Sequence, residues 1–370
     1  MYVLRMYILF LESFYGGSHR DFADGFKGYW PGKVDLITLP ARFWKWRVRG
    51  AAFEFLQRVK KSQLSKYDAV FVTSLIGLAD IKSHWGASCP PVILYMHECQ
   101  LNYPLPKGES LDVHFVMNDL SNLMHADKIL FNSEAHRKKC FESLSKYMRK
   151  MPDFVPRKIM EKLPEKSEVV YPGCHFNRTQ KFVKWPDKDL TIVWNHRWEF
   201  DKQPNQFFSV LYKLKDLGIP FRLRVLGENF QVKPKVFEDA RIKLSEFIDH
   251  WGYLENRESY YQNLRDSQIV ISTAIQENFG ISIVEAIAMG CFPLLPMRLS
   301  YPEILPGQYH SYSLYRGSRD LTSRLKRLLV KPKYYENLSR GLACEMQKYS
   351  WSKQITYYME AVRSSLEKSC

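Results

Sequence analysis

Two carboxylates, Glu277 and Glu285, stand eight positions apart in the stretch Gln276-Glu277-Asn278-Phe279-Gly280-Ile281-Ser282-Ile283-Val284-Glu285-Ala286-Ile287-Ala288-Met289-Gly290. Residues 268–273 read as a buried strand, Gly280 as part of the turn after it, and the Ala-rich run as a helix. That order sets Glu277, Asn278, Phe279 and Gly280 at a helix N-terminus, whose unpaired N–H groups and positive dipole suit an anionic diphosphate. Glu285, two turns on, can accept hydrogen bonds from paired hydroxyls such as a ribose diol. Amides that grip phosphate beside carboxylates that grip hydroxyls describe a nucleotide-sugar site. On spacing alone, a capping Glu277 and a solvated Glu285 fit as well.

Other polar residues gather where strands end, which is where ligands collect in open α/β sheets. Arg197 and Lys202 lie five apart between a strand at 190–194 and a helix at 203–217. In the first half, Phe14-Tyr15-Gly16-Gly17-Ser18-His19 follows the first strand and opens a helix; the glycines let backbone approach a ligand closely. His97-Glu98 follows a strand at 92–96. In Arg42-Phe43-Trp44-Lys45-Trp46-Arg47-Val48-Arg49, four cations alternate with three aromatics. Cations meet phosphates and aromatics stack on unpaired bases, as a single-stranded RNA loop would need; an amphipathic segment with its rings packed inward is the other reading. Lys146 to Lys150 and Arg157-Lys158 extend the basic character. Asp187-Lys188-Asp189 has the look of a metal-binding pair but precedes a strand and reads as a surface turn.

The elements that must hold these residues alternate strand and helix. Strands are expected at 6–12, 34–38, 69–73, 92–96, 127–131 and 168–171, with helices at 19–27, 49–61 and 114–125. The second half adds strands at 190–194, 221–226, 247–251, 268–272 and 292–295. Its helices are expected at 203–217, 235–243, 257–265, 282–289, 319–330 and 333–347. This pattern is α/β, with two Rossmann-like domains of parallel strands facing a cleft. Their expected bounds are 1–180 and 186–350, with a last helix in 351–370 returning to the first. At 370 residues and 45% apolar content the chain can bury two cores, and no run is long enough for a membrane span. The Tyr7–Leu11 run is too short for a signal peptide, and Met1 to Arg5 reads as a short extension. Seven cysteines without a C-x-x-C pairing suggest reduced thiols, a cytoplasmic setting and no structural zinc. The net charge of +15 splits as 28 Lys+Arg against 18 Asp+Glu in residues 1–185 and 26 against 21 thereafter, so an acidic partner is expected.

Several strings resemble one small family when taken together: Glu12 to His19, Leu39-Pro40-Ala41 with Trp44 to Arg47, His97-Glu98-Cys99-Gln100 with Tyr103-Pro104, Phe131-Asn132-Ser133, His196 to Glu199, His250 to Tyr253, and Tyr301 to Ile304. They are similar, nearly end to end, to the tRNA-queuosine alpha-mannosyltransferases, and the Glu277/Glu285 segment resembles the E-x7-E motif of retaining family 4 glycosyltransferases of the GT-B fold. The resemblance implies transfer of mannose from GDP-mannose to queuosine in the anticodon of tRNA-Asp, with retention and without metal or cofactor; a monomer is expected. It implies that Arg197 and Lys202 hold the diphosphate, Glu277 the sugar hydroxyls and Glu285 the ribose. Asn278, Phe279, Gly280, the Leu226-Gly227-Glu228 turn, Gly252 and Tyr253 complete the donor side, and Gly16 and Gly17 leave room for the sugar. His97 joins Arg197, Lys202 and Glu277 as a catalytic candidate. Acceptor candidates are His19, Arg42, Phe43, Trp44, Lys45, Trp46, Arg47, Arg49 and Glu98. Cys99 stands where the resemblance implies Asn. Two other readings are a transferase acting on a membrane lipid or polysaccharide, and a non-catalytic tRNA-binding protein on a transferase scaffold.

Overall fold

Runs that are apolar at every position, such as Ala69–Thr73 and Val92–Met96, satisfy a strand only when both faces of its sheet are covered, which is the condition of a parallel sheet between helices. In a computed structural model both strands are buried along their whole length. The structure describes residues 6–105, 108–153, 155–176, 182–227 and 234–367; the Met1–Arg5 extension, Glu228 and Cys370 lie outside them. The chain forms two units, one running to Gly173 and resuming at Trp351, the other spanning Cys174–Ser350.

The first unit holds β1 (Tyr7–Tyr15), β2 (Lys33–Pro40), β3 (Ala69–Thr73), β4 (Val92–Met96), β5 (Lys128–Phe131) and β6 (Ser167–Val169), all parallel in the order β2-β1-β3-β4-β5-β6. Between them run α1 (Gly17–Tyr29), α2 (Trp44–Arg58), α3 (Leu78–Trp85), α4 (Val113–His125), α5 (Glu134–Met148) and α6 (Arg157–Lys162). Side chains alternate across the sheet. Leu9 and Leu11 therefore enter one core with Ala52, Phe55 and Trp85, while Ile8 and Phe10 enter another with Phe22 and Phe26. β1 extends past Glu12 to Tyr15, beyond the expected end, because Glu12 is itself a buried strand residue. Helix α2 starts at Trp44, five positions earlier than the apolar pattern suggests. Helix α5 went unforeseen because it is mostly polar; it buries only His136, Cys140, Leu144 and Met148, one residue per turn.

The second unit holds β7 (Thr191–Asn195), β8 (Arg222–Leu226), β9 (Ile248–Gly252), β10 (Ile269–Ile271), β11 (Phe292–Pro296) and β12 (Leu314–Tyr315), parallel in the order β12-β11-β10-β7-β8-β9. Its helices are α7 (Pro204–Asp216), α8 (Lys235–Lys243), α9 (Arg257–Arg265), α10 (Ile281–Ala288), α11 (Tyr301–Ile304), α12 (His310–Ser313), α13 (Gly317–Val330) and α14 (Pro332–Met346).

The last helix, α15 (Trp351–Glu367), packs in the first unit. Its Trp351 is fully buried among Phe22, Tyr358 and the backbone of two glycines: a Cβ on Gly25 or Gly173 would fall 2.1 Å from the indole. Both positions are glycine because the ring occupies that space. Truncating this residue empties a large cavity, so Trp351→Ala should cost about 3–5 kcal/mol and lower the urea midpoint of the first unit. An unchanged midpoint would show that α15 contributes nothing to that core.

Candidate functional site

In the second unit the carboxyl ends of β7 and β10 bring together residues 75 positions apart in the chain. Lys202, in a short 3-10 turn between β7 and α7, keeps only 8% of its side chain exposed. Its ammonium donates to the Gln276 carbonyl at 2.8 Å and to Glu277 Oε2 at 3.4 Å, and lies 3.2 Å from Asp201 Oδ2. Asp201 is fully buried, and its own backbone carbonyl accepts from the Ile275 N–H. One cation thus ties the loop after β7 to the loop after β10. Arg197 differs: its side chain is 46% exposed and meets Glu199 at 3.2 Å. Between them, His196 is buried, and burial together with Lys202 and Arg197 pushes its imidazole well below the ordinary range.

Gly280 begins α10 at φ +97°, a conformation that favours glycine, and Ser300 donates to the Phe279 carbonyl at 2.7 Å. Glu277 and Asn278 directly precede this helix start, and the Ile283 and Val284 amides already donate to the Gly280 carbonyl. Phe279 is buried against Tyr349, which leaves only its backbone for a ligand. Asn278 accepts from Gln276 Nε2 at 3.0 Å. Glu285 is buried on α10, where Tyr260 donates to Oε2 at 3.2 Å and Tyr261 to Oε1 at 2.9 Å, with Arg257 3.7 Å away. Burial and the Glu285 charge raise both phenols, so they remain donors. Two oxygens offer about four lone-pair directions, so Glu285 can still accept a diol. The solvated-face alternative for Glu285 is thereby excluded. Asp201, Tyr260, Tyr261 and Arg257 are the residues that sequence reasoning missed; none carries a motif of its own.

Gly227 follows β8 at φ +141°, and a Cβ there would stand 1.9 Å from the His196 carbonyl oxygen. Its requirement for glycine is therefore contact with the neighbouring strand's end. Gly252 ends β9 with open space around it, followed by an exposed Tyr253. Trp251 stacks on Phe208 and is part of the packing. Asp187 is exposed and pairs with Lys333, as a surface turn would.

In the first unit, Gly16 and Gly17 lead from β1 into α1; a Cβ on Gly16 would lie 2.3 Å from that of Ala41. Beneath them Glu12 accepts from the Phe14 N–H at 2.8 Å and stands 3.3 Å from His19 Nδ1. The His19 ring packs against His97, centroids 4.1 Å apart and tilted by 37°. Burial, with His19 and His136 nearby, pushes His97 well below its ordinary range, so it is neutral at pH 7. Glu98 accepts from Gln100 Nε2 at 2.9 Å. Among the described residues, Glu12, His19 and His97 form the one group whose donor atoms, all within 4.8 Å of one another, could hold a metal ion.

The aromatic-basic string divides sharply. Phe43 sits at the start of α2 with φ +54°, rare for a non-glycine residue, and is 73% exposed, while Trp46 is 60% exposed. Trp44 leans on Phe115, and Lys45 lies over the Trp44 ring. Arg47 donates to the Pro40 carbonyl and Arg49 pairs with Asp112 at 2.7 Å, so both are engaged within the fold. Arg42 is exposed. Cys99 is buried beside Asp119 and Cys140. Burial raises the Asp119 carboxyl from 3.8 to about 8, although the Gln100 N–H donates to it at 2.8 Å.

Two predictions follow from these charges. Lys202→Met leaves Asp201 buried and unpaired, so stability should fall by about 3–5 kcal/mol; exposed Arg197→Ala should leave the melting temperature unchanged. Equal melting of both variants with wild type would refute the tie between the two loops. Because the folded Asp119 holds its proton to a higher pH than the unfolded one, its share of stability is full below about pH 4 and is lost as pH rises through about 8. Asp119→Asn should remove that slope from the stability–pH curve; an identical slope in the variant would assign it to another group.

Comparison with known proteins gives consistent matches. Residues 7–174 match the family model described as tRNA-queuosine alpha-mannosyltransferase N-terminal, and residues 176–341 match glycosyl transferases group 1. The chain is 32% identical over 341 residues to the tRNA-queuosine alpha-mannosyltransferase of Drosophila melanogaster, covering 89% of this chain and 88% of that protein. Among solved structures it is similar to a sucrose-phosphate synthase from Thermosynechococcus elongatus (TM-score 0.74, 12% identity, 99% of this chain and 100% of that one). It is also similar to Anabaena HepE in complex with UDP and glucose (TM-score 0.66, 14% identity, 97% and 100%). With the group 1 match, these likenesses establish the GT-B fold.

Proposed function

Because the chain belongs to the tRNA-queuosine alpha-mannosyltransferase family, we propose that it transfers mannose from GDP-mannose to a hydroxyl of queuosine in the anticodon of tRNA-Asp, with retention of configuration. The observation that carries this reading is the polar edge of the second unit, where Lys202 reaches Glu277 at 3.4 Å just ahead of α10, the helix on which Glu285 is buried. The amides of α10, with Arg197 and Lys202, meet the diphosphate and stabilise the charge that grows on it as the glycosidic bond breaks. Glu285 takes the ribose hydroxyls and Glu277 those of the sugar. The anomeric carbon loses the phosphate oxygen and gains the acceptor oxygen on the same face. The departing phosphate oxygen takes the acceptor's proton, so no protein nucleophile is required. His97, neutral at pH 7, offers a hydrogen bond without adding charge.

On the first unit, exposed Phe43 and Trp46 offer stacking surfaces to anticodon-loop bases, with Arg42 and Lys45 near their phosphates. The reading includes a metal-independent reaction by a cytoplasmic monomer. The cytoplasmic part of this reading fits the six described cysteines, all free thiols.

The test is to incubate the purified chain with queuosine-containing tRNA-Asp and either GDP-mannose or a UDP-hexose, then read the nucleosides by mass spectrometry. A hexose added to queuosine only with GDP-mannose is the expected result. Addition only from a UDP-hexose would overturn the donor, and none from any donor would overturn the reading. Arg197→Ala should abolish transfer while tRNA affinity holds. Phe43→Ala with Trp46→Ala should weaken tRNA binding by about 1–3 kcal/mol per stacked base and leave slow donor hydrolysis intact; undiminished affinity would place the acceptor surface elsewhere.

A further inference from the structure

Glu12 lies inside β1 with no exposed surface. Its Oε2 meets no hydrogen-bond donor in the structure. A half-satisfied carboxylate in a strand of Ile, Leu and Phe costs stability that an apolar residue would not, which points to a role other than packing. Its other oxygen, Oε1, accepts the Phe14 N–H and faces His19 Nδ1 at 3.3 Å. Since Glu12 has no exposed surface, it acts on a ligand only through His19, whose side chain retains 12% exposure. The His19 ring is held on two further sides, by the edge-on ring of Phe14 at 5.8 Å and by the tilted ring of His97 at 4.1 Å.

We propose that Glu12 is a positioning residue for the transfer reaction: it holds His19 with Nδ1 protonated towards Oε1, so that the ring presents Nε2 in one tautomer at the carboxyl end of β1. The proposal rests on the transferase reading above. A carboxylate behind an imidazole fixes both its orientation and which nitrogen carries the proton. The ring so held stands at the first turn of α1, beside Gly17. There its partner is an oxygen of the reactants, a hydroxyl or a phosphate. His97, packed against the same ring, extends the fixed surface to the end of β4.

The experiment compares Glu12→Met, which fills the space without an acceptor, with Glu12→Gln, which keeps an acceptor oxygen. Nitrogen-15 NMR of the histidines reads the tautomer, the His19 signals being assigned by their loss in His19→Gln. In the parent chain His19 should carry its proton on Nδ1, and in Glu12→Met on Nε2. In Glu12→Met kcat should fall about 10²-fold, with KM for tRNA and nucleotide sugar held within about three-fold, and Glu12→Gln should recover much of both signals. The proposal is overturned by an unchanged His19 tautomer in Glu12→Met, by a kcat within about two-fold of the parent, or by a fall in kcat that merely tracks the folded fraction. A parent chain that transfers nothing to queuosine-containing tRNA sinks the transferase reading instead; the tautomer measurement still decides whether Glu12 holds His19.

Discussion

Lys202 carries its charge with 8% of its side chain in solvent, and the loops at the working edge of the second sheet depend on how that charge is satisfied. Asp201 is wholly buried and faces it from the same turn, while the Gln276 carbonyl and Glu277 reach it from the loop after β10. A buried ammonium with three oxygens around it fixes geometry more than it adds stability, because desolvation offsets most of the Coulomb attraction. What it fixes is the approach of Glu277 and the start of α10 to the end of β7. Under the proposed function, an incoming diphosphate meets groups already in place.

The first unit solves a related problem at the end of β1. A parallel sheet covered on both faces has no solvated side on which to carry polar groups, so they gather at the carboxyl ends of its strands. Glu12, His19 and His97 do so together, and packed glycines set the spacing around them: Gly16 lies against Ala41, and Gly25 and Gly173 lie against Trp351. Trp351 anchors α15 in the core that contains Phe22, and Phe22 meets His97 edge-on at 4.9 Å. Core packing and site geometry are thus continuous in this unit.

Much of this was legible in the chain before folding. Strands such as Ala69–Thr73 and Val92–Met96 announce themselves because a doubly covered strand must be apolar throughout. Gly280 between a strand and an Ala-rich helix placed Glu277 at a helix start and Glu285 on the helix. Helix α5 escaped because one buried residue per turn leaves too faint a period among its charges. The true start of α2 escaped because Phe43 adopts a left-handed backbone that no propensity favours.

The sequence by itself determined the alternation of strand and helix, the α/β class, the family, and which strand ends carry polar residues. These follow from local composition and spacing, which a linear pattern can hold. Only the tertiary structure decided that Glu12 is buried, that Lys202 meets Asp201 and Glu277, that Tyr260 and Tyr261 grip Glu285, and that Arg47 and Arg49 are engaged while Phe43 and Trp46 stand exposed. Most of those pairings join residues distant in the chain, and the charge or exposure of each depends on what the fold brings against it.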